Sequence, residues 1–196
     1  MKPNAFIFLL LGLLLVVSPA FAISTVVIDA GHGGHDRGGS PGQSIAEKPY
    51  TLDIARRLSS ALRSRGFQTV MTRSGDYFVG LDQRCAISNS RPGSIFVSIH
   101  LNSAPREGAS GIETYYYSGA SGALAAALHS AIVRATGSED RGVRRRGYFV
   151  LRRNARLAVL CECGFLTNRA EASRLMSASY RQRIASAIAA AIDAKY

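Results

Sequence analysis

The sequence predicts one α/β domain: a mostly parallel or mixed twisted sheet with helices on both faces. Three observations carry that expectation. Several β-branched apolar runs have no polar interruption, as strands covered on both faces do. Segments with apolar residues at helical spacing separate those runs, so strand and helix alternate along the chain. The 196 residues are 47% hydrophobic and 19% charged, without internal repeat or linker, which excludes collagen, coiled coil and low-complexity scaffold.

Residues 1–22 stand apart. A single Lys2 precedes the apolar run 5–17, which is too short to cross about 30 Å of hydrocarbon as a helix of roughly 20 residues. Ser18 and Pro19 break the run, and Ala20-Phe21-Ala22 gives the small residues that a signal peptidase reads. Residues 1–22 are therefore expected to be a secretory signal peptide, with an uncleaved membrane anchor as the alternative, and 23–196 the folded domain. No Cys sits near the cleavage point, so no lipid anchor is expected.

The elements follow in order. Residues 24–30 read as a buried strand feeding a Gly-rich loop at 31–42. Across 47–65, Ile54, Ala55, Leu58, Ala61 and Leu62 recur at helical spacing opposite Arg56, Arg57 and Arg63, and Gly66 stops the helix. Residues 67–72 read as a strand, 80–90 as a short helix, and 94–99 as a second buried strand after Pro92 and Gly93. Then come a strand at 112–117, an Ala-rich helix at 122–136, a short strand at 148–151 and a final buried strand at 157–162. In the closing helix Tyr180, Ile184, Ile188 and Ile192, at steps of four, form one apolar stripe. The irregular stretch 137–147, with Arg141, Arg144, Arg145 and Arg146, reads either as a solvated loop or as a rim that grips an anionic polymer.

The balance of 24 Lys plus Arg against 13 Asp plus Glu gives a formal charge of +11, and every basic residue except Lys2, Lys48 and Lys195 is Arg. Such a surface favours fork-shaped contacts to carboxylates and phosphates. An exported chain meets acidic wall polymers and anionic lipid before DNA, so no nucleic-acid partner is expected. Cys85, Cys161 and Cys163 are an odd number with no zinc-ribbon spacing. Cys161 and Cys163 share one strand face and read as small core residues rather than a disulfide.

In open sheets of this class ligands bind at the carboxyl ends of the strands. Three apolar strands lead there to an unusual residue: His32, His100 and Glu162. Glu47 opens the helix after the Gly-rich loop and projects toward the same edge. Two imidazoles and a carboxylate make a three-ligand zinc set with one position left for water, the pattern of a catalytic site. Glu162, costly to bury without a purpose, is then free to act as general base and afterwards general acid. Plainer readings stand beside these. His32 sits in a turn where His35 could replace it, His100 could be a satisfied core imidazole, and Glu47 a carboxylate stabilised by the helix dipole. His129, on the Ala-rich helix, reads as surface or packing.

The segments Val27-Ile28-Asp29-Ala30-Gly31-His32-Gly33-Gly34, Ala46-Glu47-Lys48, Thr72-Arg73 with Asp76, Leu81 and Arg84, Ser98-Ile99-His100-Leu101-Asn102 and Glu162-Cys163-Gly164-Phe165-Leu166-Thr167-Asn168 resemble, in order, the motifs of the zinc-dependent N-acetylmuramoyl-L-alanine amidases of the type 3 catalytic domain. The resemblance implies zinc ligands at His32, Glu47 and His100, one Zn²⁺ per chain, and Glu162 as catalytic acid or base. It implies peptidoglycan as substrate, cut at the amide between the lactyl group of N-acetylmuramic acid and L-alanine. Asn102, Arg144, Arg145 and Arg146 are the expected substrate contacts. Glu113 also falls at a family-like position, with no role that follows from the sequence. The cysteines flanking Glu162 depart from the small or aliphatic residues expected there.

Two other readings are disfavoured. An inactive peptidoglycan-binding module would usually have lost one of the four positions, and a secreted basic nuclease would need carboxylate-rich two-metal chemistry. Some relatives carry an inserted helix between the second His and the catalytic Glu that occludes the zinc. Here that stretch has no apolar stripe able to plug the site, so an enzyme without an obligatory protein activator is expected. With no separate wall-binding domain, the periplasm is expected rather than the exterior.

Overall fold

Strand β1 (Thr25–Ala30) enters the Gly-rich loop and helix α1 (Lys48–Arg63), followed by β2 (Gln68–Met71), α2 (Leu81–Asn89) and β3 (Ser94–Asn102). The chain continues through β4 (Ile112–Tyr116), α3 (Gly122–Thr136), β5 (Asp140–Arg145), α4 (Phe149–Arg152) and β6 (Leu157–Phe165), and closes with α5 (Arg169–Met176) and α6 (Ala178–Asp193). This computed structural model describes residues 23–105 and 108–196. The expected signal peptide lies outside the described residues.

The six strands form one sheet in the order β2-β1-β3-β6-β4-β5. Strands β2, β1, β3 and β6 run parallel, β4 is antiparallel to β6, and β5 is parallel to β4. The sheet is thus mixed, as the alternation of elements allows.

Successive side chains of a strand point to opposite faces, and that alternation decides where chemistry can lie. Val26, Ile28, Ile95, Val97, Ile99 and Val159 enter the larger core, which α1, α3 and α6 cover. Val27, Phe96, Ala158 and Leu160 enter the smaller core, which receives Cys85 from α2 and Val150 and Leu151 from α4. Asp29, Ser98, His100 and Glu162 share the parity of this second set and fall on the α2–α4 face. Cys161 and Cys163 pack in the larger core as free thiols, away from Glu162.

Two expectations are corrected. Residues 148–151 are not a strand: Phe149–Arg152 is one helical turn, with the Tyr148 carbonyl accepting from the Leu151 and Arg152 N–H groups. A four-residue apolar run carries no period that separates strand from helix. The stretch 137–147 is not wholly irregular, since Asp140–Arg145 pairs with β4 at the sheet edge. An edge strand keeps its charged side chains in solvent, and in β5 Val143 alone packs against the core, so no hydrophobic signal marks it. Helix α5 was not anticipated, although Asn168 caps it by accepting from the Ala170 and Glu171 N–H groups. Among the described residues no helix is long and apolar enough to cross a membrane.

Candidate metal centre and active site

The loop after β1 is shaped by how closely it passes over the site. A Cβ on Gly31 would lie 2.5 Å from ring atoms of His100, and one on Gly38, whose φ is +70°, would lie 2.6 Å from the His32 ring and 2.8 Å from the Glu47 Cβ. Only glycine fits such approaches. His32 itself has φ +63°, a conformation that costs a non-glycine residue about 1–3 kcal/mol and is retained where the surroundings demand it.

A short antiparallel bridge, Gly33 to Asp36, turns the chain back so that the Asp36 carboxylate accepts from His32 Nδ1 at 2.9 Å and from the Gly38 N–H at 3.0 Å. His32 Nε2 lies 3.2 Å from Glu47 Oε2, and the Asp36 contact favours a proton on Nδ1 whenever Nε2 gives its lone pair to a metal. Glu47 is the N-cap residue of α1, but its side chain does not cap the helix. Its Oε2 accepts from the Leu101 N–H at 3.1 Å and lies 3.8 Å from His100 Nδ1. Burial opposes ionisation of Glu47, yet the neighbouring His100 and His32 imidazoles outweigh it and hold the carboxyl at about 2. Burial lowers the proton affinity of His32, but Glu47 and Asp36 reverse the sign and raise it.

One donor atom from each of His32, Glu47 and His100 lies within 4.8 Å of the others. The 3.2 Å between His32 Nε2 and Glu47 Oε2 is close to the edge of a tetrahedron with zinc–ligand bonds of about 2.0 Å, roughly 3.3 Å. Two imidazoles and one carboxylate are a zinc donor set, so the residues fit the ion. His35 is exposed and stacks on Phe78, with ring centroids 4.2 Å apart, and takes no part in the cluster.

Two buried guanidinium groups hold the backbone that carries His32. Arg84 donates to the carbonyls of Ala30 at 2.8 Å and His32 at 2.9 Å, and to Asp29 at 2.7 Å. Arg73 donates to the carbonyls of Ala30 at 2.9 Å and Gly31 at 2.8 Å. Burial disfavours a charged Asp29, but Arg84, with the Ser98 and Thr72 hydroxyls at 2.7 Å each, keeps it below the usual carboxylate range.

Strand register places Glu162 beside His100 on one side and Glu113 on the other. Glu162, His32 and His100 all line a cavity of about 450 Å³. The Glu162 Oε2 is buried with no hydrogen-bond partner. Burial, and then the charges of Glu47 and Glu113, push its carboxyl well above the ordinary value. Glu113 is driven the other way. Burial again opposes ionisation, but the Tyr115 hydroxyl and Arg141 Nε at 3.1 Å hold it low, with Asn102 Nδ2 at 2.9 Å and Arg144 Nη1 at 3.5 Å beside it. Adjacent carboxylates pushed apart in this way divide into a fixed charge and a proton carrier.

Of the expected substrate contacts, Asn102 and Arg144 border the site through Glu113. Arg145 lies over the Tyr117 ring at 5.2 Å and donates to the Tyr117 carbonyl, while Arg146 is exposed. His129 is packed between Thr114 and Asp140. Sequence patterning did not single out Asp36, and its position four residues after His32 in a Gly-rich turn was the available signal.

The sequence profile of the family described as N-acetylmuramoyl-L-alanine amidase matches residues 26–194. The Bacillus subtilis (strain 168) protein YqiI is 36% identical over an alignment that covers 95% of each chain. The N-acetylmuramoyl-L-alanine amidase LytC of the same organism is 36% identical over 84% of this chain and 34% of its own length, so the chain spans about a third of that relative. Among solved structures, the catalytic domain of CwlV, an N-acetylmuramoyl-L-alanine amidase from Bacillus (Paenibacillus) polymyxa var. colistinus, superposes with a TM-score of 0.84 at 38% identity, covering 88% of this chain and 97% of that one.

Proposed function

The chain belongs to the N-acetylmuramoyl-L-alanine amidase family, enzymes that act on peptidoglycan, and from that premise we propose that it is a zinc hydrolase with His32, Glu47 and His100 as ligands and Glu162 as the proton carrier. The bond cut is the amide between the lactyl group of N-acetylmuramic acid and L-alanine. The observation that carries this reading is the cavity: His32, His100 and Glu162 line one space, and Glu47 bridges the two imidazoles beside it.

Bound zinc would supply Lewis acidity, acidifying water and polarising the amide carbonyl. The chain's own residues do the rest. Glu162 takes a proton from the attacking water as its oxygen adds to the carbonyl carbon, then returns that proton to the amide nitrogen as the C–N bond breaks. Its Oε2 takes part in no hydrogen bond, which leaves the carboxyl free for both transfers. Asp36 keeps the His32 proton on Nδ1, and Arg84 and Arg73 keep the carbonyls of residues 30–32 from moving. A wall substrate calls for action outside the cytoplasm, and the signal-like residues 1–22 support export to the periplasm.

The test is release of soluble stem peptide from purified cell wall. We expect release by the metal-loaded protein, loss on chelation and recovery with added zinc, with no cleavage of DNA under the same conditions. Release that survives full chelation would overturn the metal assignment. Wall binding with no release at all would favour the inactive module.

A further inference from the structure

The cavity that holds Glu162 is larger than proton transfer requires, and beside its polar centre it carries apolar walls. Phe78, Val79 and Leu81 form one side, and Tyr148, Phe149 and Val150 the other. Phe78, Leu81 and Tyr148 are 48%, 53% and 44% exposed, so large apolar surface stands open to water beside the reaction centre. Such exposure on both lips of a cleft marks a ligand surface.

Charge decides which half of the substrate fits. Among the described residues lining this cavity the one cation is Arg84, and Asp29 together with the backbone carbonyls consumes its donors. Apart from His32 and His100, the proposed metal ligands, the charged groups that remain in the lining are the acids Asp29, Asp36 and Glu162. Away from the metal, the apolar lips therefore offer the carboxylates of a stem peptide no cation. Exposed cations lie beyond Glu113, where Arg144, 3.5 Å from the Glu113 carboxylate, and Arg146 stand on and after β5. A pyranose ring, uncharged and with apolar C–H faces, suits flat aromatic surfaces as the peptide does not.

We propose that Phe78 and Tyr148 form the glycan subsite, so that the sugar chain lies over the α2–α4 side of the centre and the stem peptide runs toward Arg144 and Arg146. This assignment rests on the amidase reading above and adds a direction to it. Tyr148 is held for that role by an edge-on contact with Tyr115, centroids 5.1 Å apart, and Phe78 by its stack on His35.

The experiment measures binding of two products to zinc-loaded protein by calorimetry. The probes are a peptide-free oligomer of alternating N-acetylglucosamine and N-acetylmuramic acid, and free stem peptide. Phe78→Ala and Tyr148→Ala should each weaken the glycan by roughly threefold to tenfold, the scale of one lost aromatic contact, and leave the stem peptide unchanged. Tyr148→Phe should keep glycan affinity, because the ring remains. The proposal is overturned if wild-type protein does not bind the oligomer, if the alanine variants keep full glycan affinity while retaining their zinc, or if the loss falls on the stem peptide. Peptide release from cell wall by the wild type is read in parallel. Release together with unaltered glycan binding in the variants sinks the subsite alone, whereas no release sinks the amidase reading beneath it.

Discussion

Asp36 touches no other member of the donor set, yet it sets the tautomer of one ligand. Asp36→Ala should lower zinc affinity by about 10- to 100-fold, the usual cost of losing a carboxylate behind a ligating imidazole, and competition with a chromophoric chelator will read it. Unchanged affinity would mean that the bond to Nδ1 does not orient His32. Asp29 acts through Arg84 in the same way. Arg84→Ala leaves a carboxylate buried without its counter-ion and should cost about 3–5 kcal/mol in denaturant unfolding. Because the folded-state pKa of Asp29 is depressed, its stabilisation is complete above the unfolded value near 3.9 and is lost as pH falls through the depressed one. Unfolding free energy should therefore drop below pH 4 more steeply in wild type than in Asp29→Asn. His32, Glu47, His100 and Glu162 were legible because each closes a strand or opens a helix within a recognisable motif. Asp36 was not, and Arg84 stood in a motif without a role, since their meaning depends on a turn and a packing contact that exist only in the folded chain.

The helices that sequence located best are those with a long apolar period. In α6, Ile184, Ile188 and Ile192 are fully buried against the sheet, α1 and α3, as steps of four require. Ile188→Ala should cost about 2–5 kcal/mol by removing buried methylene groups and leaving a cavity, a loss that a thermal or denaturant melt detects. A cost under 1 kcal/mol would show that the stripe does not carry the packing. At the other extreme, α4 spans four residues and β5 is an edge strand of charged side chains, so neither displays a period. These two are also the elements that border the cavity and the Arg cluster. The parts of the chain hardest to read in sequence are thus the ones nearest the proposed substrate cleft, where polarity need not answer to the core.

The whole molecule brings together strands that the chain order separates. β1, β3 and β6 are neighbours in the sheet, and their carboxyl ends align His32, His100 and Glu162 although β4, α3, β5 and α4 intervene between β3 and β6 in sequence. Motif order could name these residues but could not give their adjacency, which is a property of the crossover. A formal charge of +11 surrounds this centre. Attraction to an anionic wall is screened as the Debye length falls from about 10 Å at 0.1 M to about 3 Å at 1 M. Co-sedimentation with purified cell wall should accordingly weaken steeply over that range, and binding indifferent to salt would remove the Arg surface from the account. In the proposed centre three metal ligands and one proton carrier divide the labour. The zinc content of three dialysed proteins, measured by elemental analysis, separates the two roles. About one Zn²⁺ per chain is expected in wild type and in Glu162→Gln, and far less in His100→Ala; undiminished zinc in His100→Ala, or its loss from Glu162→Gln, would show that the roles are misassigned.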